Sequence, residues 1–348
     1  MHQKVFFFDP KRDKPLKHDE HGLYGTDEIQ KIIYENQFPK DCSERDFLLI
    51  PGGWYTGIGA YVHVIGSYIA RGIELNRTVV YDTKDNHRFL NCPQCSGSNG
   101  FDCYFQPVSS CKFTKEEINY SDPKFMRIIE HPQAALPESV RSVMQRIAIP
   151  PELHSFYWRV QSAYFITRFS DNLTKWVKEF RNKALVNPKD HYDVSMHIRK
   201  GDKYLEMKLI DTSKYLYPLE VLNKLIRKDK ISVFISSDDQ QPIDYFLKFR
   251  DRFDISYYNF SRRKGGFDLW KINDFFDMSL SSFANLEEAV NADYVIGTLS
   301  SNWNRLILEL NMQYYPNATK FPYLEVGDVQ CLTPYQCEVC NKTLNFGW

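Results

Sequence analysis

The chain has 348 residues, 44 basic against 44 acidic, so a formal net charge of zero gives no global pull toward nucleic acid. Its 43% hydrophobic and 25% charged residues are the composition of a folded globular protein, and its length suits two domains. No apolar run approaches the ~20 residues that span a bilayer, and the amino terminus, with one apolar cluster (Val5 to Phe8) followed by charge, is not a signal peptide.

Arg45-Asp46 leads into Phe47-Leu48-Leu49-Ile50, a four-residue apolar strand. Pro51-Gly52-Gly53-Trp54-Tyr55-Thr56-Gly57 then punctuates the chain as a loop; its glycines do not keep the spacing of a dinucleotide fingerprint and suit a tight strand-to-helix turn. From Ile58, apolar Val62, Ile65, Ile69 and Ile73 recur at spacings of three and four, an amphipathic helix. Thr78-Val79-Val80-Tyr81 follows as a second strand and completes a βαβ unit. Residues 84–122 read as a loop excursion with four cysteines. Residues 136–186 read as helices, with Phe156, Val160, Tyr164 and Ile166, then Leu173, Trp176, Val177 and Phe180 at helical spacing. Asn187-Pro188-Lys189-Asp190 is the expected hinge, dividing an amino-terminal domain (1–187) from a carboxyl-terminal one (188–348).

The second half repeats one theme, an apolar strand that ends in a polar tip. Val194, Met196 and Ile198 form a buried strand that runs into His197-Ile198-Arg199-Lys200-Gly201-Asp202-Lys203-Tyr204-Leu205-Glu206. The carboxyl end of a strand in an open α/β sheet is where ligands bind. Arg199 offers a forked donor to phosphate and Lys203 a point charge, while Glu206 supplies a carboxylate fit for a general base. A solvated salt-bridge cluster is the competing reading. Ile231 to Ile235 is a strand ending in Ser236-Ser237-Asp238-Asp239. Ala292 to Gly297 is another, ending in Thr298-Leu299-Ser300-Ser301-Asn302, with a helix from Trp303 through Leu306, Ile307 and Leu310. Ser300 or Ser301 would cap that helix, whose start presents amides to an anion; a plain helix cap is the alternative. Three tips converging on one sheet edge point to a nucleotide-diphosphate site.

Eight cysteines (Cys42, Cys92, Cys95, Cys103, Cys111, Cys331, Cys337 and Cys340) fall in two loop-like regions, which suits disulfides in an oxidising compartment. Zinc is the competing use, through Cys92-Pro93-Gln94-Cys95 and Cys337-Glu338-Val339-Cys340. Six Asn-x-Ser/Thr sequons, at Asn76, Asn119, Asn172, Asn259, Asn317 and Asn341, lean toward a secreted or luminal chain. With no targeting segment, the expectation is a luminal portion whose membrane anchor is absent from this chain.

Over roughly residues 42–330 the chain resembles the core α1,6-fucosyltransferases of glycosyltransferase family 23. The resemblance is carried by Gly52-Gly53-Trp54 through His63, by Gly72 to Asp82, and by Phe105-Gln106-Pro107-Val108-Ser109 with Cys111. It continues in Phe156-Tyr157-Trp158 through Ile166 ahead of Leu173 and Trp176, in His197 through Lys203, in Phe234 to Asp239, and in Asn291-Ala292-Asp293 through Ser300-Ser301-Asn302 to Arg305.

The resemblance implies a glycosyltransferase-B-like α/β fold of two facing Rossmann-like domains, the first on the acceptor side and the second holding GDP-fucose. It implies an inverting, metal-independent transfer of fucose from GDP-fucose to the 6-hydroxyl of the innermost GlcNAc of an N-glycan, in the Golgi lumen, with no cofactor. By motif position, Arg199 and Lys203 would hold the β-phosphate and meet the charge on departing GDP. Glu206 would deprotonate the acceptor hydroxyl, and Asp202 would orient Lys203. His197 would sit against the guanine, while Ser300, Ser301 and Asn302, with Asp238 and Asp239, would complete the substrate site.

The chain departs from that pattern in three places. The step from Asp202 to Glu206 is one residue shorter. Asn285 stands where the family has a guanine-reading aspartate, which leaves either Glu287 or Glu288 to take that part or a looser recognition of the base. The family's coiled coil and SH3 domain have no counterpart here. Cys42 with Cys111 is the first disulfide pair to expect. Three other readings stand beside this one: a fucosyltransferase acting on chitin oligosaccharide or a protein hydroxyl, a catalytically silent GDP-sugar or glycan binder, and a zinc-stabilised interaction protein.

Overall fold

The computed structural model describes residues 18–19, 22–52, 56–85, 87, 93–128, 136–205, 208–262, 276–314 and 323–326. They form two compact α/β units, one built on residues 19–175 with 276–279 and one built on residues 176–262 and 280–326 with residue 18.

The first unit opens with a two-stranded ribbon, β1 (His18–Asp19) and β2 (Gly22–Leu23), followed by α1 (Thr26–Gln37). Then come β3 (Phe47–Ile50), α2 (Ile58–Glu74), β4 (Thr78–Tyr81), β5 (Phe125–Arg127), α3 (Glu138–Arg146) and α4 (His154–Ile166). The βαβ unit expected from residues 47–81 is present. Its strands pair in parallel, Phe47 beside Thr78 and Ile50 beside Tyr81, and β5 pairs with the other edge of β3 to give the order β4-β3-β5. All four β3 side chains are fully buried, as a strand covered on both faces requires, which accounts for its unbroken apolar run.

Helix α2 is covered well beyond the stripe its spacing suggests. Tyr61, Val64 and Tyr68 are buried along with Val62, Ile65 and Ile69. Tyr61 packs on Phe101 of the excursion, Tyr68 OH donates to Ile128 O at 2.8 Å, and α4 lies against the helix. Gly66 lies so close to α4 that a Cβ there would stand 2.7 Å from Ser162 Oγ.

The outer edge of β4 is closed by a side chain. Gln37 Nε2 donates to Val79 O at 3.0 Å and to Val108 O at 2.9 Å, while its Oε1 accepts from Val79 N at 3.0 Å. The Cys42–Cys111 disulfide, the pair expected first, ties the chain ahead of β3 to the excursion, and Cys95–Cys103 staples the excursion to itself. Cys95 is therefore not available to form a zinc-binding pair with Cys92, and Cys92, Cys331, Cys337 and Cys340 lie outside the described residues. Phe47 packs against Phe113 and Phe125, with ring centroids 4.6 and 5.7 Å away, beside the first disulfide.

The second unit is entered within α5 (Asp171–Ala184). It continues through β6 (Leu185–Val186), β7 (Tyr192–Ile198), α6 (Leu216–Ile226), β8 (Ser232–Ser237), α7 (Gln240–Phe246), β9 (Asp254–Tyr258), α8 (Phe276–Val290), β10 (Ala292–Gly297), α9 (Asn302–Tyr314) and β11 (Tyr323–Glu325). Asn187, at φ 56°, makes the turn from β6 to β7, its Nδ2 donating to Asp254 Oδ1 at 2.6 Å.

The sheet order is β11-β10-β7-β8-β9-β6, parallel throughout except for β6 against β9. From β7 the chain builds outward through β8 and β9, then returns to lay β10 and β11 on the other side. This is a doubly wound sheet whose strand order reverses between β7 and β10, and ligands bind such sheets at the carboxyl ends beside that reversal.

One face buries Val194, Met196 and Ile198 of β7 with Val233 and Ile235 of β8, Leu219 and Leu222 of α6, and Ile243 and Phe246 of α7. Each such side chain contributes roughly 1.5–3 kcal/mol on burial. The other face mixes Phe234 with buried Ser195, His197 and Ser236. No helix among the described residues is long and apolar enough to cross a membrane.

Candidate functional site

The carboxyl ends of β7, β8 and β10 bring together the three polar tips, all within the second unit. The register sets Ile198 beside Ser237 and His197 beside Ser236. Ser237 Oγ donates to Ile198 O at 2.7 Å, which holds the ends of β7 and β8 together. Just beyond, Arg199 is ion-paired to Asp238 Oδ2, and Lys200 N donates to Asp238 Oδ1 at 2.8 Å. The chain then turns at Gly201, φ 45°, where a Cβ would overlap the Asp238 carboxylate. A 3-10 turn over Gly201–Leu205 follows and carries Lys203, whose side chain is buried.

These charges are sorted by their partners. Lys200 is turned away onto Ile210 O at 2.6 Å, and its burial lowers its pKa. Asp239 accepts from Gln241 N at 2.9 Å and so caps α7. The carboxylates of both Asp238 and Asp239 are thus engaged by the protein itself. Glu206 lies outside the described residues, as does the side chain of Asp202.

His197 is buried at 7% exposure, with one ring nitrogen, Nδ1, 3.0 Å from Ser236 Oγ. Its Nε2 has no hydrogen-bond partner among the described residues. Burial, helped by the Arg199 charge, pulls its pKa down to about 3, so the ring is neutral at physiological pH. A neutral imidazole with one open nitrogen can give or take a single hydrogen bond from a heterocycle or a hydroxyl.

The β10 tip forms the turn into α9. Thr298 O accepts from Ser301 N at 3.1 Å, Thr298 Oγ1 lies 3.0 Å from Ser300 Oγ, and Ser301 O accepts from Arg305 N at 3.1 Å to open the helix. Ser301 is buried and Asn302 begins α9.

Asn285 is placed differently. It lies in the third turn of α8, buried, with Nδ2 donating to Ser281 O of its own helix at 2.8 Å and Oδ1 without a partner among the described residues. Glu288, a candidate to take the part of the family's aspartate, is buried, and its Oε1 accepts from Arg181 Nε at 2.6 Å.

Arg262 is a rim residue that the sequence reading missed. It follows β9 and donates to Ser237 O at 3.1 Å, Tyr258 O at 2.8 Å and Gln240 Oε1 at 2.8 Å, tying the ends of β8 and β9. Burial pulls its pKa down to about 10. The available signal was a basic pair, Arg262-Arg263, just past an apolar stretch, and such pairs are ordinarily solvated.

No family model matches the chain, and no curated protein matches it. Among solved structures it is similar to a mutant of Arabidopsis thaliana FUT1 in complex with GDP, with 10% identity over 86% of this chain and 78% of that one and a TM-score of 0.48. It is also similar to fucosyltransferase NodZ from Bradyrhizobium, with 13% identity over 76% of this chain and 93% of that one and a TM-score of 0.42. A third is POFUT1 in complex with GDP-fucose, with 12% identity over 87% of this chain and 78% of that one and a TM-score of 0.35.

Proposed function

We propose that the chain is an inverting, metal-independent fucosyltransferase that moves L-fucose from GDP-fucose to the 6-hydroxyl of the innermost GlcNAc of N-glycans. The observation that carries the reading is the placement of His197, Arg199 and Lys203 at and just past the carboxyl end of β7, which pairs with β10 at the strand-order reversal of a doubly wound sheet. That edge supplies cations and a helix start for a diphosphate, and a neutral imidazole for a base.

In this reading Arg199 and Lys203 hold the β-phosphate and meet the charge that appears as the C1–O bond to GDP breaks. Ser300, Ser301 and Asn302 add contacts at the start of α9, and His197 Nε2 meets the guanine. Asp238 serves the donor through Arg199, and Asp239 through the end of α7. Asn285 keeps its place as a guanine-side residue through its open Oδ1. Asp202 orients Lys203. Glu206 takes the proton from the acceptor O6, which attacks C1 from the opposite side and inverts it. The two disulfides support an oxidising, luminal setting, which in this reading is the Golgi.

The test is a transfer assay with GDP-fucose and EDTA, offering an N-glycopeptide with a free GlcNAc arm, chitotetraose and an unglycosylated folded peptide domain. Fucose on the innermost GlcNAc of the glycopeptide is the expected result. Transfer to either other acceptor replaces the acceptor class and keeps the chemistry. GDP binding without transfer to any of them overturns the enzymatic reading.

A further inference from the structure

Leu299 sits in the turn between β10 and α9, and both of its backbone groups are taken by side chains from elsewhere. Glu325 Oε2 on β11 accepts from Leu299 N at 2.9 Å, and Arg305 Nε on α9 donates to Leu299 O at 2.5 Å. Both side chains are buried, Glu325 at 9% and Arg305 at 8% exposure. Glu325 reaches the turn because the parallel register of β10 and β11 sets it beside Gly297. Tyr323 OH donates to the same Glu325 oxygen at 2.8 Å, and burial holds that hydroxyl protonated as a donor.

The rest of the turn is equally bound. Asn304 Nδ2 donates to Thr298 O at 3.1 Å, and a Cβ on Gly297 would stand 2.6 Å from Asn304 Oδ1. A carboxylate buried next to this turn would be electrostatically unfavourable for a phosphate received there. Its presence calls for a compensating use, and its contacts name one: it fixes a peptide unit, while Arg305 fixes the same residue from the other side and supplies the opposite charge.

We propose that Glu325 and Arg305 are positioning residues that hold the Thr298–Asn302 turn in the shape that receives the diphosphate of a nucleotide. The proposal rests on the GDP-fucose reading above. The pair acts through the peptide groups of Leu299. An anion site at a helix start binds well when its amides are oriented before the ligand arrives, because the ordering cost is then already met by the fold.

The experiment compares GDP with guanosine, which lacks the phosphates, on the full chain and on Glu325→Gln, Glu325→Leu and Arg305→Met. GDP is measured by calorimetry and guanosine by saturation-transfer NMR. Glu325→Gln keeps an oxygen for Leu299 N and Tyr323 OH, and its GDP affinity is expected within about threefold of wild type. Glu325→Leu is expected to lose at least about tenfold in GDP affinity with guanosine unchanged. Arg305→Met carries the same comparison if Glu325→Leu does not fold. Unchanged GDP affinity in the folded Leu and Met variants, or equal loss of GDP and guanosine, overturns the positioning role. A wild-type chain that binds no GDP overturns the GDP-fucose reading itself.

Discussion

Arg199 and Asp238, at the ends of adjacent parallel strands, are joined by an ion pair whose second carboxylate oxygen accepts from the amide of Lys200. The cation that faces the proposed phosphate is therefore aimed by the neighbouring strand. Asp238→Asn keeps an acceptor for Lys200 N and loses the ion pair, so turnover with GDP-fucose is expected to fall about tenfold, mostly in the donor KM. Unchanged donor kinetics would show that Arg199 needs no such guide.

Gly201 allows that arrangement. Its left-handed backbone, φ 45°, costs about 1–2 kcal/mol for any residue with a Cβ, and that Cβ would also displace the Asp238 carboxylate. Gly201→Ala is expected to weaken GDP binding by tenfold or more while the fold survives. Calorimetry with GDP beside a thermal melt separates the two effects, and a variant that binds as wild type would refute the claim.

Asp102 gives a pH signature. Buried near Tyr81, with Lys112 Nζ at 3.9 Å, its carboxyl is pushed up to about 6 by burial. The folded chain holds this proton more tightly than the unfolded one. The stability it contributes is fully present below about pH 4 and is lost as pH rises through 6, amounting to at most about 2–3 kcal/mol. His87, whose pKa burial lowers, acts in the opposite direction as pH falls. The difference between wild type and Asp102→Asn isolates the carboxyl. In urea unfolding at pH 5 and pH 8, wild type should gain on the variant at the lower pH, and parallel behaviour would exclude the effect.

Gln37 stands beside Val79 where a further strand would otherwise lie, closing the edge of β4 with one side-chain amide. Gln37→Leu leaves Val79 N, Val79 O and Val108 O without this partner in a buried setting. Each lost bond costs about 1–3 kcal/mol, not fully additively, so about 3 kcal/mol or more is expected in denaturant unfolding. A loss under 1 kcal/mol would mean that water replaces the amide.

The two disulfides should differ in worth. Cys42–Cys111 closes 69 residues and Cys95–Cys103 closes 8. Loop-closure entropy assigns about 4 kcal/mol to the first and about 2.5 kcal/mol to the second. Replacing each pair by serine and comparing unfolding midpoints checks the order.

Most of what positions the site was legible because its strands are mainly apolar runs that end in polar tips. Phe47–Ile50, Thr78–Tyr81 and Ala292–Gly297 fall where the sequence placed them, and β8 extends through Ser236 and Ser237. Strands β5 and β11, three residues each, are too short for any period to show. The engagement of Asp238 with Arg199 could not be read at all, because it depends on register between segments 39 residues apart. Glu325 and Arg262 were hidden for a related reason. Glu325 is a single charge in its segment and Arg262 one of a basic cluster that reads as solvated, and each becomes part of the rim only when the sheet assembles.

One buried hydroxyl sets a clock. Thr78 of the Asn76-Arg77-Thr78 sequon is fully buried in β4, its Oγ1 donating to Asn36 O at 2.8 Å and accepting from Arg45 Nε at 3.2 Å, and Arg45 also donates to Asn76 Oδ1. An enzyme that recognises the sequon through that hydroxyl finds it only while the strand is still free. Sugar at Asn76 would thus be a record of order, attached ahead of folding or never.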